Sequence, residues 1–288
     1  MTNFQKGNYI GIDIGGTKIE GIVWSGGRIL NSKKITTPRN RPRFLKAVEE
    51  LIRDLKGSQK IHGIGLSCAG AIEERTGKII RSPNMPYLNG LNLPRLLSKR
   101  FHVPTKIQND TTCFLLGVLT FGGAKGRKNV VALTLGTGVG GAVLIDGRIL
   151  TGSHVSAAEL GHMVIKGNSG SKGLTVEDLC SSHFFRKFGL GGALEVQHKA
   201  ERGNKKAKEI YRRLGRNLGM ALANFVNIFD PELIILGGGI SRGAHLFLKD
   251  AVREMRKHAL VSLKHLLPLV KISKLKHAGA LGAVSLFL

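Results

Sequence analysis

The sequence is short of several things. Acids are few: 19 Asp and Glu stand against 44 Lys and Arg, a formal charge of +25. Cysteines are few as well, and Cys68, Cys113 and Cys180 lie far apart, in neither a zinc-finger nor a disulfide pattern. That spacing fits a reducing, cytoplasmic setting. No run of about eighteen apolar residues occurs, so no membrane span is expected. The opening MTNFQKGNYIGIDIGG carries no basic-then-apolar leader, so secretion is not expected either. What is there is a globular composition. The chain has 288 residues, 42% of them hydrophobic, and a mean hydropathy of +0.02. It is long enough for one large or two medium domains around a full core.

The deficit of acids has two readings. A basic surface attracts polyanions such as nucleic acid or polyphosphate. A general basic bias would instead scatter Lys and Arg over solvated faces. The cations run along the whole chain, from Lys33 and Lys34 through Lys125, Arg127 and Lys128 to residues 271–276. No single basic tail stands out, which favours the second reading.

Glycine is where the sequence becomes specific. Residues 9–23, YIGIDIGGTKIEGIV, alternate apolar positions at Ile10, Ile12 and Ile14, place an acid at Asp13, and turn on Gly15, Gly16, Thr17 and Lys18. Apolar residues resume at Ile19, Ile22 and Val23. The pattern predicts a β-hairpin. Glycines at such a turn let backbone N–H groups approach an anion, and an acid at the strand end can hold the hydrated metal that accompanies phosphates. A hairpin that binds nothing fits these residues equally well.

A second copy tips the balance. Residues 131–143 read VALTLGTGVGGAV. With Thr134 set against Asp13, Leu133 falls under Ile12, Leu135 under Ile14, Gly136 under Gly15 and Val143 under Ile22. Both copies run into the phrase Gly-Arg-Ile-Leu, at residues 27–30 and 147–150, with one residue of slippage. Self-similarity at this spacing suggests a duplicated lobe.

Between and beyond the copies the pattern is α/β. Strands are expected over 33–37, 61–67, 76–80, 103–107, 233–236 and 270–275. Helices are expected over 44–56, 93–101, 111–120, 177–188, 203–229, 244–258 and 279–287. The helix at 244–258 would be capped by Ser241. Asp110 follows a strand and precedes a helix, where a carboxylate points into the crevice that binds ligands in α/β folds. It would serve equally as the helix cap, unless Asn109 or Thr111 caps instead. Asn84 sits between two prolines, free to bond a hydroxyl or to cap a turn. Glu159 and His162, three apart around Gly161, are too few for a metal site but suit a sugar, since a carboxylate accepts from hydroxyl groups and His donates. Gly237, Gly238 and Gly239 follow a strand, a corner suited to a nucleotide.

Taken together, DIGGTK at 13–18, Asn109-Asp110, GTGVGG at 136–141, ELGH at 159–162 and the triple glycine resemble the ROK sugar kinases and their repressor relatives over nearly the whole chain. The resemblance implies an α/β, two-lobed actin-like ATPase (ribonuclease H-like) fold with a central cleft. The small lobe would be residues 1–118, rejoined by the final helix at about 276–288, and the large lobe residues 119–275. It implies ATP- and Mg²⁺-dependent phosphorylation of a hexose, glucose first, by a cytoplasmic homodimer with no nucleic-acid or membrane partner. Asp110 would be the general base. Gly70, Asn84, Asn109, Asp110, Glu159, His162 and Glu177 would line the sugar. Asp13, with Mg²⁺, and Gly15, Gly16, Thr17, Lys18, Gly136, Thr137 and Gly138 would hold phosphates, and Gly237–Gly239 the adenosine side.

The chain departs from the family in places. The zinc loop that usually follows ExGH is replaced by residues 168–177, NSGSKGLTVE, without a cysteine, so no zinc site is expected and His162 needs a backbone or carboxylate partner. Gln108 stands where an acid is common. Open alternatives are a kinase using polyphosphate on glucose or mannose, an N-acetylhexosamine kinase, a regulator without its DNA-binding domain, and an inactive sugar-binding protein. Asp110 argues against the last.

Overall fold

The computed structural model describes residues 7–167, 172–260 and 264–288. They form two compact units. One comprises the described residues of 1–125, 151–156 and 274–288, the other those of 126–150 and 157–273.

The first unit opens with β1 (Asn8–Ile14), β2 (Lys18–Ser25) and β3 (Arg28–Thr36). The third strand, expected from residue 33, begins at Arg28, because Gly26 and Gly27 take φ of 53° and 89° and fold the chain straight back. Next comes α1 (Arg41–Lys56), whose Asn40 side chain accepts from the Arg43 N–H and whose buried face carries Phe44, Val48, Leu51, Ile52 and Leu55. Then follow β4 (Gly63–Cys68), β5 (Ala71–Glu73), β6 (Lys78–Arg81), α2 (Leu93–Phe101), β7 (Thr105–Asn109) and α3 (Asp110–Thr120). Among the described residues the main sheet has five strands in the order β3-β2-β1-β4-β7. Strands β1, β4 and β7 run parallel, as the strand-helix-strand order requires, while β2 pairs antiparallel with both β1 and β3.

The second unit repeats this plan. It contains β8 (Val130–Leu135), β9 (Val139–Ile145), β10 (Arg148–Ile149), β11 (Val164–Lys166) and β12 (Leu174–Thr175). Helices α4 (Val176–Cys180), α5 (Ser182–Arg186), α6 (Ala193–Glu201) and α7 (Lys205–Phe229) follow, then β13 (Leu233–Gly237), α8 (Leu248–His258) and β14 (Leu269–Ile272). Its five-strand order, β10-β9-β8-β13-β14, matches the first sheet position for position. Asp13 lies between Glu20 and Ser67, and Thr134 between Gly140 and Gly237. The slippage sits in the hairpin turn: Ile14 pairs with Ile19 across four residues, Leu135 with Val139 across three. Val143 is therefore the counterpart of Val23, not of Ile22, since it pairs with Val131 as Val23 pairs with Ile10.

Three other expectations change. The helix foreseen over 177–188 breaks at Ser181, whose extended backbone separates α4 from α5. The stretch after the triple glycine first makes a 3₁₀ turn, Ile240–Leu246, and α8 starts only at Leu248; the Ser241 hydroxyl donates to the Gly238 carbonyl at 2.7 Å and caps nothing. Strands β5, β11 and β12 and helix α6 were not expected. The last helix, α9 (Ala278–Ser285), belongs to the first unit. Its Ala280 and Val284 pack with Tyr9, Ile22 and Trp24. No helix among the described residues is long and apolar enough to cross a membrane.

Candidate functional site

In the first unit the candidate residues gather at the carboxyl ends of the parallel strands, where α/β sheets bind ligands. Asp13 ends β1, and the Ser67 hydroxyl from β4 donates to its Oδ1 at 2.6 Å. Enclosure by protein raises the Asp13 carboxyl above the ordinary carboxylate range, and the Ser67 bond pulls it partly back. The turn after it is closed by the Gly15 N–H donating to the Lys18 carbonyl at 3.0 Å. Thr37 occupies two carbonyls of this turn: its hydroxyl donates to Gly15 at 2.6 Å and its N–H to Thr17 at 3.2 Å. Gly16, Thr17 and Lys18 are exposed. Asn84 lies against this turn, since a Cβ on Gly16 would fall 2.9 Å from its own.

At the end of β7, Asn109 is the cap of α3. Its Oδ1 accepts from the N–H groups of Thr111 at 2.9 Å and Thr112 at 3.2 Å. Its Nδ2 donates to the Gly70 carbonyl at 3.0 Å. Asn109 thus spends most of its amide on local structure. Asp110 is the first residue of α3 rather than its cap, and its Oδ1 accepts from the Thr111 N–H at 3.0 Å. Gln108 bridges neighbours: its Nε2 donates to Glu74 at 2.9 Å and its Oε1 accepts from the Asn109 N–H at 2.7 Å.

In the second unit the turn at 136–138 is closed by the Gly136 N–H donating to the Gly138 carbonyl at 2.9 Å. The triple-glycine corner adjoins it. Gly237 pairs with Thr134, and Gly238, at φ 86°, would bring a Cβ within 2.3 Å of the Leu135 carbonyl oxygen. Only glycine meets both demands. Gly239 and Gly238 are exposed. Glu177, from α4, accepts the Val139 N–H at 2.9 Å.

Glu159 precedes the 3₁₀ turn Leu160–His162 and His162 is its last residue, and both are exposed. Among the described residues the His162 side chain has no hydrogen-bond partner, and residues 168–171 of the loop that follows lie outside them. Those residues also contain no group of three or more His, Cys, Asp or Glu placed to hold a metal ion. Cys180 is buried in α4, and residues 168–171 of the polar loop lie outside the described residues.

Sequence reasoning missed Ser67, Thr37 and Gly279. Ser67 had a usable signal, a lone hydroxyl in the strand GIGLSC, all of it buried. Thr37 and Gly279 had none, because their roles depend on contacts remote in sequence.

A model of the ROK family matches residues 9–288. The glucokinase of Thermotoga maritima is 31% identical over 307 residues, covering 96% of this chain and 96% of that protein. The N-acetyl-D-glucosamine kinase of Escherichia coli O1:K1 / APEC is 29% identical, covering 94% of each. Among solved structures, a ROK family glucokinase from Streptomyces griseus, in complex with glucose and AMPPNP, aligns with a TM-score of 0.83 at 27% identity, over 97% of this chain and 99% of that one.

Proposed function

The chain belongs to the ROK family, and on that basis we propose that it is a carbohydrate kinase that transfers the γ-phosphoryl group of ATP to a hexose, glucose first. Its fold is the actin-like ATPase fold of the ROK sugar kinases.

The observation that carries the mechanism is the placement of Asp110 at the end of β7, held there by the Thr111 N–H and by the Asn109 cap. In the proposed reaction Asp110 accepts the proton of the attacking sugar hydroxyl. The oxygen forms its bond to phosphorus as the bond to ADP breaks. Phosphoryl transfer asks for positioning and charge neutralisation more than covalent chemistry, so one aligned carboxylate suffices as base. Glu159 and Glu177 would accept from sugar hydroxyls and His162 donate, with Asn84, Asn109 and Gly70 beside them. The turns at 15–18 and 136–138 would receive the phosphates, and Gly237–Gly239 the adenosine side. Because Thr37 occupies carbonyls of the first turn, fewer oxygens there oppose an anion. Asp13 fits a hydrated Mg²⁺: Ser67 uses Oδ1, and one oxygen remains, enough for a metal that keeps its waters. When bound, Mg²⁺ would neutralise charge on the transferring phosphates.

Two variants of the reading have support of their own. The 29% identical N-acetyl-D-glucosamine kinase favours an N-acetylhexosamine as acceptor. A net charge of +25 would also suit a long polyanion, which makes polyphosphate the donor to test beside ATP, although the even spread of the cations favours a general basic bias. A coupled assay over glucose, mannose, fructose and N-acetylglucosamine, with ATP or polyphosphate, tests all of them. Glucose with ATP is expected to turn over fastest; no phosphorylation of any sugar by either donor would overturn the proposal. Zinc has no part in it, since the sequence between His162 and Glu177 holds no cysteine. Elemental analysis is expected to find no stoichiometric zinc, and one zinc per chain, lost together with activity, would contradict that.

A further inference from the structure

Residue Val139 is gripped from two sides. Its N–H donates to Glu177 Oε2 at 2.9 Å. Its carbonyl lies under the 3₁₀ turn that carries Glu159 and His162, so close that a Cβ on Gly161 would fall 2.0 Å from it. Val139 opens β9 directly after the turn at 136–138. That turn is anchored to the same helical segment. The Ser182 N–H donates to the Gly136 carbonyl at 2.9 Å and its hydroxyl to Thr137 at 3.3 Å. Gly138 leaves room for the carboxylate, since a Cβ there would fall 2.3 Å from Glu177 Oε2. The break at Ser181 lets one short helix deliver Glu177 and the next deliver Ser182 to a single turn.

Glu177 is itself held firmly. It is the second residue of α4, whose first turn is locked by reciprocal bonds between Thr175 and Asp178: the Asp178 N–H reaches the Thr175 hydroxyl at 3.1 Å, and Asp178 Oδ2 accepts from the Thr175 N–H at 2.9 Å. The Thr175 N–H and the Thr175 hydroxyl both donate to Asp178 Oδ2, at 2.9 and 2.8 Å, and hold its carboxyl below the usual range, so it stays ionised in this role.

We propose that Glu177 is a positioning residue that couples acceptor to donor: one oxygen fixes the phosphate turn through Val139 while the other takes a sugar hydroxyl. Sugar binding then pins the carboxylate and, through Val139, sets the 136–138 turn for the nucleotide. This rests on the function proposed above, which places sugar near Glu177 and phosphate at that turn. Coupling of this kind is reciprocal, so each ligand must tighten the other by the same factor.

Titration calorimetry of the full chain with AMPPNP, with and without saturating glucose or whichever sugar the wild type phosphorylates, tests it. In the wild type the sugar is expected to tighten AMPPNP by about fivefold or more. In Glu177→Ala the factor should fall to about one, with AMPPNP still bound. In Glu177→Gln, whose amide oxygen can still accept the Val139 N–H, AMPPNP alone should bind as in the wild type and the factor should be intermediate. If Glu177 were only a strut, Glu177→Ala would weaken AMPPNP equally with and without sugar and leave the factor intact, which overturns the proposal, as would a wild type that phosphorylates sugar without any coupling. A wild type that phosphorylates no sugar sinks the underlying reading instead, and the two failures are distinct.

Discussion

Gly279 lies against the carboxylate of Asp13: a Cβ built on it would fall 2.6 Å from Cγ and 2.8 Å from each carboxylate oxygen. Gly279 is in the first turn of α9, so the positive end of the last helix faces an acid from the first strand. The helix that returns to the first unit is thereby fitted to the residue proposed to hold Mg²⁺. Any side chain at 279 must push either the carboxylate or the helix away.

Gly279→Ala is therefore expected to lower turnover by about 10²-fold, the scale of a displacement near 1 Å at a reacting centre. Gly123→Ala is the control, because a Cβ there meets nothing within 4 Å. Steady-state kinetics and thermal melts of both variants check this. Native turnover and melting temperature in Gly279→Ala would mean that the contact does not matter.

Gln108 suits its neighbour. Its amide donates to Glu74 at 2.9 Å, so an acid at this position would set two carboxylates within hydrogen-bonding distance. Gln108→Glu should destabilise the protein near neutral pH by up to about 1 kcal/mol, a small effect because Glu74 is exposed. Repulsion raises the carboxyl in the folded state, so the penalty should vanish as pH falls through the carboxylate range. The double variant with Glu74→Gln should recover stability. Equal melting temperatures for wild type and Gln108→Glu at pH 7 would refute this.

Glu232 ties the starts of β8 and β13 together. It accepts the N–H groups of Lys128 at 2.8 Å and Asn129 at 3.0 Å, and pairs with Arg127 at 3.1 Å. Those two backbone bonds, with the Arg127 bond after them, hold its carboxyl down at about 2. A depressed carboxyl stabilises the fold fully above its unfolded value, and the contribution fades as pH falls from there through about 2. Glu232→Gln should thus lower stability at pH 7 and flatten the loss of stability between pH 4.5 and about 2. Denaturation at a series of pH values reads this. Parallel curves for the two proteins would contradict it.

What the sequence revealed and what it hid divide along physical lines. The duplicated hairpins were legible because apolar alternation, glycine and the repeated Gly-Arg-Ile-Leu phrase are local signals, and the matching sheet orders follow from them. The register error at Val143 arose because a turn one residue shorter leaves no mark in composition. Strand β5 has only three residues, too few for a period to show. The break at Ser181 was hidden because its cause is tertiary, the bond from the Ser182 N–H to Gly136. Asn109, Asp110 and Glu177 were singled out by their motifs; the sequence left the cap of α3 open between Asp110, Asn109 and Thr111, and the folded chain gives it to Asn109, while the hold of Glu177 on Val139 needed the folded chain altogether. Gly279 became visible only when α9 closed on Asp13, whereas the lone hydroxyl of Ser67 in an apolar strand was a local signal that went unread.

The central claim is that Asp110 is the base. Asp110→Asn tests it cleanly, since the amide oxygen can still accept the Thr111 N–H that fixes the side chain. Turnover of the preferred sugar should be measured in a coupled assay, beside sugar binding by calorimetry. The account predicts native folding, near-native sugar affinity and turnover lower by about 10²–10⁴-fold. Turnover close to that of the wild type would show that another group takes the proton.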